Sequence, residues 1–271
     1  MIYCIWYPSG GFGHFINGIL TLHGKEFKKP NNHEIKFSST GDSHKLDLVA
    51  PKYTASTTNY DYEFDSNYNY SILIDLGINS SSREFMQALP NAQVIKLCYT
   101  DKTWPVIANT MIVKAMKSTV KSEIVVDAAA WSSDENWVQR EKYFLFLRDH
   151  YLRNVWQPES DITCIIVDSL INYDTLKNVI ESSGPKLNNF KDLWNDWYAS
   201  NEKYFAPVTK AQQIIEIIKS SKNLELTNIT DIWTQAVIYY FIWLEFGKEV
   251  PHNDFKNFFN NVEQIRTWLH Q

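Results

Sequence analysis

The sequence predicts an α/β fold with a three-layer parallel sheet and a mostly helical C-terminal half. Three observations lead there. Short apolar, β-branched runs alternate with helical spacing through the N-terminal part of the chain. The first of these runs ends in a glycine-rich turn that opens a helix. Beyond Gly184-Pro185 the apolar positions recur at helical spacing.

Taken in order, Ile2-Tyr3-Cys4-Ile5-Trp6-Tyr7 reads as a buried strand that stops at Pro8-Ser9-Gly10-Gly11. Phe15, Ile16, Ile19, Leu20 and Leu22-His23 follow at helical spacing, with Gly24 predicted as a C-cap. Residues 25 to 69 are polar and read as a long excursion with short strands. Ser71 to Leu76 is a second strand, and a short helix is predicted around Arg83 to Leu89. Gln93 to Tyr99 is a third strand, leading into a helix from Trp104 to Lys117 with Pro105 in its first turn. A helix from Ser133 to Asp149, capped by Ser132 or Ser133, precedes a fourth strand, Ile162 to Val167. Tyr173 to Glu181 is a helix ended by Gly184-Pro185. Three more helices are predicted at Phe190 to Phe205, Lys210 to Lys219 and Asp231 to Phe246, the last stopped by Gly247 and Pro251. Alternating strands and helices imply a parallel sheet covered on both faces. No linker divides the chain, so residues 1–271 read as a single domain.

Composition excludes several classes. Apolar residues make up 44% and charged residues 21%, which suits a folded globule. A net charge of −5 and a pI near 5.8 argue against a nucleic-acid partner. The N-terminus lacks a signal-peptide pattern, and Ala236 to Leu244 is too short to span a bilayer, so no membrane partner is expected. Three widely spaced cysteines, Cys4, Cys98 and Cys164, form no metal-binding pattern and suit a reducing, cytoplasmic setting.

The densest chemical signal is Tyr7-Pro8-Ser9-Gly10-Gly11-Phe12-Gly13-His14. Ligands of open α/β sheets sit beyond the carboxyl ends of the strands. A glycine turn there brings backbone N–H groups and a helix start to an anion. The turn lacks the closing Gly-Lys-Ser/Thr of a Walker A loop, and its third glycine, Gly18, is misplaced for a dinucleotide fingerprint. Anion binding and a purely geometric turn are both open at this point. His14 is the titratable side chain of the turn; a neutral imidazole there can donate to a transferring group or act as a base.

These residues carry a resemblance. Tyr7-Pro8-Ser9-Gly10-Gly11 after a strand resembles the 5′-phosphosulfate loop of sulfotransferases, typically Tyr-Pro-Lys-Ser-Gly-Thr-Thr. Here Ser9 stands at the lysine position, and Phe12 and Gly13 stand at the threonines. Val94 to Trp104 resembles the family's strand and turn for the nucleotide 3′-phosphate, with Thr100, Lys102 and Thr103 as the nearest substitutes and Asn109 near the family's serine. Ile162 to Leu170 and the helix to Gly184 are similar to the family's late strand. The C-terminal segment resembles small sulfotransferase-like proteins of marine phage and cyanobacterial genomes. The resemblance implies a P-loop-like fold and the co-substrate PAPS (3′-phosphoadenosine-5′-phosphosulfate). It implies sulfuryl transfer to a hydroxyl of a small molecule or glycan. Ser9, Gly10, Gly11, Phe12, Gly13, His14, Thr100, Lys102 and Thr103 would hold the nucleotide. His44 or His14 would deprotonate the acceptor, His44 being drawn from the polar cluster Asp42-Ser43-His44-Lys45.

Other readings accompany this one. Gly-Gly-Phe-Gly-His loosely resembles the start of some fucosyltransferases, which would make the chain a nucleotide-sugar glycosyltransferase with two nucleotide-type domains. The serine in place of lysine also fits a non-catalytic binding protein. Arg140, Arg148, Asp149, His150 and Arg153 crowd one helix end, where they complement its carbonyls or, through Arg148, clamp a phosphate. Trp194, Trp197 and Tyr198 fit helical core packing.

Overall fold

A computed structural model describes residues 1–8, 11–29, 63–74, 86, 89, 91–117, 136–153, 158, 160 and 162–271. They gather into two compact units. One comprises Met1–Thr100 with Trp156–Glu202, the other Asp101–Val155 with Lys203–Gln271.

The first unit is built on a four-stranded, wholly parallel sheet. Its strands are β1 (Ile2–Trp6), β2 (Tyr70–Ile74), β3 (Ala92–Cys98) and β4 (Thr163–Ile166). The order is β2-β1-β3-β4. Every residue of β1 and β2 is buried, which explains their almost wholly apolar sequence, Ser71 being the polar exception: both faces are covered, so no polar alternation is needed. In-register pairing aligns Ile2 with Tyr70 and Ala92, and Trp6 with Ile74 and Lys96. Lys96 in turn pairs with Cys164.

Helix α1 (Gly13–Gly18) continues into one π-helical turn, Ile19–His23. The C-cap expected at Gly24 is not a left-handed one: its backbone is extended, at φ −65° and ψ 132°. Glycine is needed there for space, because a Cβ would overlap the Leu20 carbonyl and the Phe27 ring. The excursion over residues 30–62 and the helix expected at 83–89 lie outside the described residues, apart from Met86 and Leu89. After β4 a 3-10 turn, Val167–Ile171, leads to α4. We number α2 and α3 in the second unit, so α4 is Tyr173–Ser182. Asn172 caps it by accepting from the Thr175 N–H at 2.9 Å, and Gly184 follows at φ 110°.

The second unit is helical among the described residues. It holds α2 (Trp104–Lys117), α3 (Asn136–Arg153), α6 (Ile232–Phe246) and α7 (Val262–Leu269). Helix α6 is buried from Thr234 to Ile242, a largely apolar stretch enclosed on all sides, and forms the core against α3. Asp231 caps it, accepting from the Thr234 N–H at 3.0 Å, and Gly247 ends it at φ 66°. The serine cap expected for α3 lies outside the described residues.

Two expectations need correction. The helices predicted at Phe190 to Phe205 and Lys210 to Lys219 are one 29-residue helix, α5 (Lys191–Lys219), with Pro207 inside it. Proline removes the N–H that would reach the Lys203 carbonyl, at about 3 kcal/mol. Burial of Tyr204, Phe205, Val208, Ala211, Ile214 and Ile215 on both sides of the proline offsets that loss. Helix α7, which has Asn261 as N-cap, was not among the predicted helices: at 8 residues it offers little periodicity to read.

Candidate functional site

The strand order sets the geometry of the site. From β1 the chain goes to β2 on one side, then to β3 on the other. The carboxyl ends of β1 and β3 are therefore adjacent at a topological switch point, where open α/β sheets form their ligand crevice. The turn after β1 and Thr100 after β3 leave the sheet at this edge.

The turn is tightly built. The Gly11 N–H donates to the Pro8 carbonyl at 2.7 Å, which turns that amide inward to close the loop. A Cβ on Gly11 would lie 2.8 Å from the Pro8 ring, and one on Gly13 would overlap the Tyr7 ring. Phe12 occupies the left-handed region at φ 63°, unusual for a non-glycine residue. Its side chain is held edge-on to Trp197 at 5.4 Å, while Phe15 stacks on the same indole at 4.1 Å. Aromatic packing thus holds the strained residue in place. Ser9, Gly10 and His44 lie outside the described residues.

His14 sits in the first turn of α1 and is 6% exposed. Its ring meets Tyr7 edge-on at 5.8 Å, and its Nδ1 lies 3.5 Å from the Tyr7 hydroxyl. Asn17, one turn further along α1, is buried, and its Oδ1 accepts from no donor among the described residues. A buried acceptor without a partner carries a desolvation cost.

The second group of expected nucleotide residues divides between the units. Thr100 is half-buried in the first. Lys102 and Thr103 belong to the second. The Lys102 ammonium pairs with Glu245 at 3.2 Å, and its carbonyl accepts from Gln212 at 3.2 Å. Thr103 is fully buried at the start of α2, where its carbonyl accepts from Val106. Asn109 is likewise interior: it donates to the Tyr204 carbonyl at 3.1 Å and accepts from the Tyr143 hydroxyl. It also lines a cavity of about 240 Å³ with Val113, Lys203, Tyr204, Pro207 and Trp233. Arg148, read as a possible phosphate clamp, is held by Asp149 at 2.9 Å and Glu249 at 2.6 Å.

Sequence reasoning passed over Lys96. It lies in β3, 1% exposed, with its ammonium 5.3 Å from the Trp6 ring and next to Trp6 in register. Its register partner Trp6 is the last residue of β1, the strand that leads into the glycine turn. The signal was present: a lysine interrupting the apolar run Val94-Ile95-Lys96-Leu97-Cys98. A lysine taken out of water needs a compensating electrostatic partner, and the indole face supplies one.

Among the described residues, no cluster of three His, Cys, Asp or Glu side chains is placed to hold a metal, and no helix is long and apolar enough to cross a membrane. Comparison with family models, curated proteins and solved structures found no match to this chain.

Proposed function

We propose that this chain binds a phosphate-bearing nucleotide at the carboxyl edge of β1 and β3 and transfers a sulfuryl group from PAPS to a hydroxyl acceptor. The observation that carries the reading is the coincidence of the topological switch point, the glycine turn and a buried lysine on the neighbouring strand. Sulfotransferase loops carry a lysine in the turn itself. Here Ser9 stands at that position in the sequence, and Lys96 offers a cation on β3, in register with Trp6 of β1.

In this reading the turn residues Gly10 to His14 position the sulfate and 5′-phosphate, and Lys96 stabilises charge on them. The acceptor oxygen forms a bond to sulfur as the bond from sulfur to the phosphate oxygen breaks. The acceptor proton passes to His14 or His44, and PAP (3′-phosphoadenosine-5′-phosphate) leaves. Most of the acceleration is assigned to positioning and electrostatics, as in phosphoryl transfer.

A second reading has its own support. Gly11 and Gly13 are required by packing alone, and His14 is buried, so a non-catalytic anion-binding turn is also consistent with the geometry. The single sheet among the described residues lends nothing to a glycosyltransferase with two nucleotide domains.

Thermal-shift titration with PAP, ADP, GDP and UDP-sugars separates these readings. A ligand at 100 times its Kd adds about 2.7 kcal/mol to the stability of the protein. Selective stabilisation by PAP, lost in Lys96→Met, supports the sulfonucleotide site. PAP binding without transfer to a broad acceptor panel supports the non-catalytic reading. No response to any nucleotide removes both.

A further inference from the structure

The helical unit contains a cavity of about 240 Å³ where α2, α5 and α6 meet. Asn109 and Val113, one turn apart, line it from α2, and Lys203, Tyr204 and Pro207 line it from α5. Trp233, in the first turn of α6, completes the lining among the described residues. Asn109 and Tyr204 are buried, while Val113, Pro207 and Trp233 are half-buried. Lys203 is exposed and marks the mouth.

An empty apolar cavity costs stability, and packed helices ordinarily close up to remove one. Here specific contacts hold the lining in place. The Asn109 amide donates to the Tyr204 carbonyl at 3.1 Å and accepts from the Tyr143 hydroxyl, tying α2 to α5 and α3. The Tyr143 ring in turn meets Trp233 edge-on at 4.7 Å. The cavity is therefore formed in advance of any ligand, as small-molecule pockets usually are.

Its size and chemistry restrict what fits. A cavity of about 150 Å³ holds benzene, so this one has room for a fused two-ring molecule. Val113, Pro207 and the rings of Tyr204 and Trp233 offer apolar and aromatic surface. No carboxylate lines it among the described residues, and the Lys203 ammonium lies 5.2 Å from the centre of the Tyr204 ring. A polar handle comes from the backbone. Pro207 has no N–H to give the Lys203 carbonyl, its ordinary helical partner, and both residues line the cavity. An acceptor deprived of its donor is matched by an N–H on the ligand.

We propose that this cavity binds a planar, uncharged, two-ring aromatic molecule whose N–H donates to the Lys203 carbonyl, with indole as the simplest representative. The site lies wholly within the helical unit and is independent of the reading of the glycine turn.

The test is isothermal titration calorimetry of the full chain with indole and with indene, in which a CH2 group replaces the N–H. Wild type is expected to bind one indole per chain and to bind indene about tenfold more weakly, the worth of one hydrogen bond. Val113→Phe fills the cavity from α2; it is expected to abolish indole binding without lowering Tm. Pro207→Ala supplies the Lys203 carbonyl with a backbone N–H, so indole and indene should then bind within about twofold of each other. This variant keeps the question answerable should Val113→Phe fail to fold. The proposal is overturned by wild type that does not bind indole or binds indene equally well. Indole binding that survives Val113→Phe, or a preference for indole that survives Pro207→Ala, overturns it too.

Discussion

Gly13 shows how much one missing side chain decides. The Tyr7 ring fills the space a Cβ would take, so Gly13→Ala forces either the ring or the helix start to move. A cost of about 1–3 kcal/mol is expected, as for other overpacked sites. Urea unfolding measures it, and an unchanged midpoint would show that the turn is looser than described. His23 carries a pH dependence. Burial lowers its pKa from the ordinary value of 6.5; the Asn189 carbonyl opposes this, Lys29 adds to it and Asp192 opposes it. The folded state therefore prefers neutral imidazole, and the unfolded chain takes up the proton first. The stabilising contribution is complete above pH 6.5 and is lost as pH falls below it. His23→Gln should flatten the decline in Tm between about pH 6.5 and 5. The thiols also differ. Burial pushes Cys4 up to about 12, and Cys98 is buried, whereas Cys164 is half-buried. A thiol reagent added to the native protein should label Cys164 first, with Cys4 and Cys98 reacting after unfolding. Early labelling of Cys4 would contradict the closed sheet.

Helix α5 is the element whose local sequence and final state disagree most. Pro207 reads as a break, yet the helix runs through it. Pro207→Ala restores the N–H to the Lys203 carbonyl and relieves the ring, worth about 3 kcal/mol in a helix interior. Greater freedom of the unfolded chain offsets up to about 1 kcal/mol of that. A net gain on the order of 2 kcal/mol is expected by chemical denaturation; a loss would mean that the cavity beside Pro207 needs the ring. The caps behave oppositely, since local sequence and structure agree at Asp231, Gly184 and Gly247. Their physics is short-ranged: a carboxylate beside exposed N–H groups, or a residue free to adopt positive φ. Asp231→Ala should cost about 1–2 kcal/mol and expose the start of α6 to hydrogen exchange. Gly24 departs from the expected cap because its glycine answers a neighbour, Phe27, rather than a backbone angle.

At the scale of the whole molecule, charge makes a prediction. With a net charge of −5, the chain should not be retained on heparin at moderate salt. Retention would reveal a basic face outside the pairs formed by Lys102, Lys219 and Arg148. The setting of the glycine turn also belongs to this scale. The glycine turn is visible in one short stretch of sequence, but its place at a switch point follows from the order β2-β1-β3-β4. Strand order depends on which edges pair, and no local pattern encodes that choice.

The sequence by itself determined the strands of the sheet, the glycine turn, the helix ends at Asp231, Gly184 and Gly247, and the acidic balance. Each is written in residues close together along the chain, through burial, backbone freedom or plain charge. Tertiary structure decided the rest. It set β1 between β2 and β3, and carried α5 through its proline by burying both flanks. It also laid Lys96 beside Trp6 and enclosed Arg140 away from any carboxylate among the described residues. Those outcomes depend on partners far apart along the chain: Trp6 and Lys96 are joined by a sheet register, and Arg140 and Gln235 by the packing of two helices.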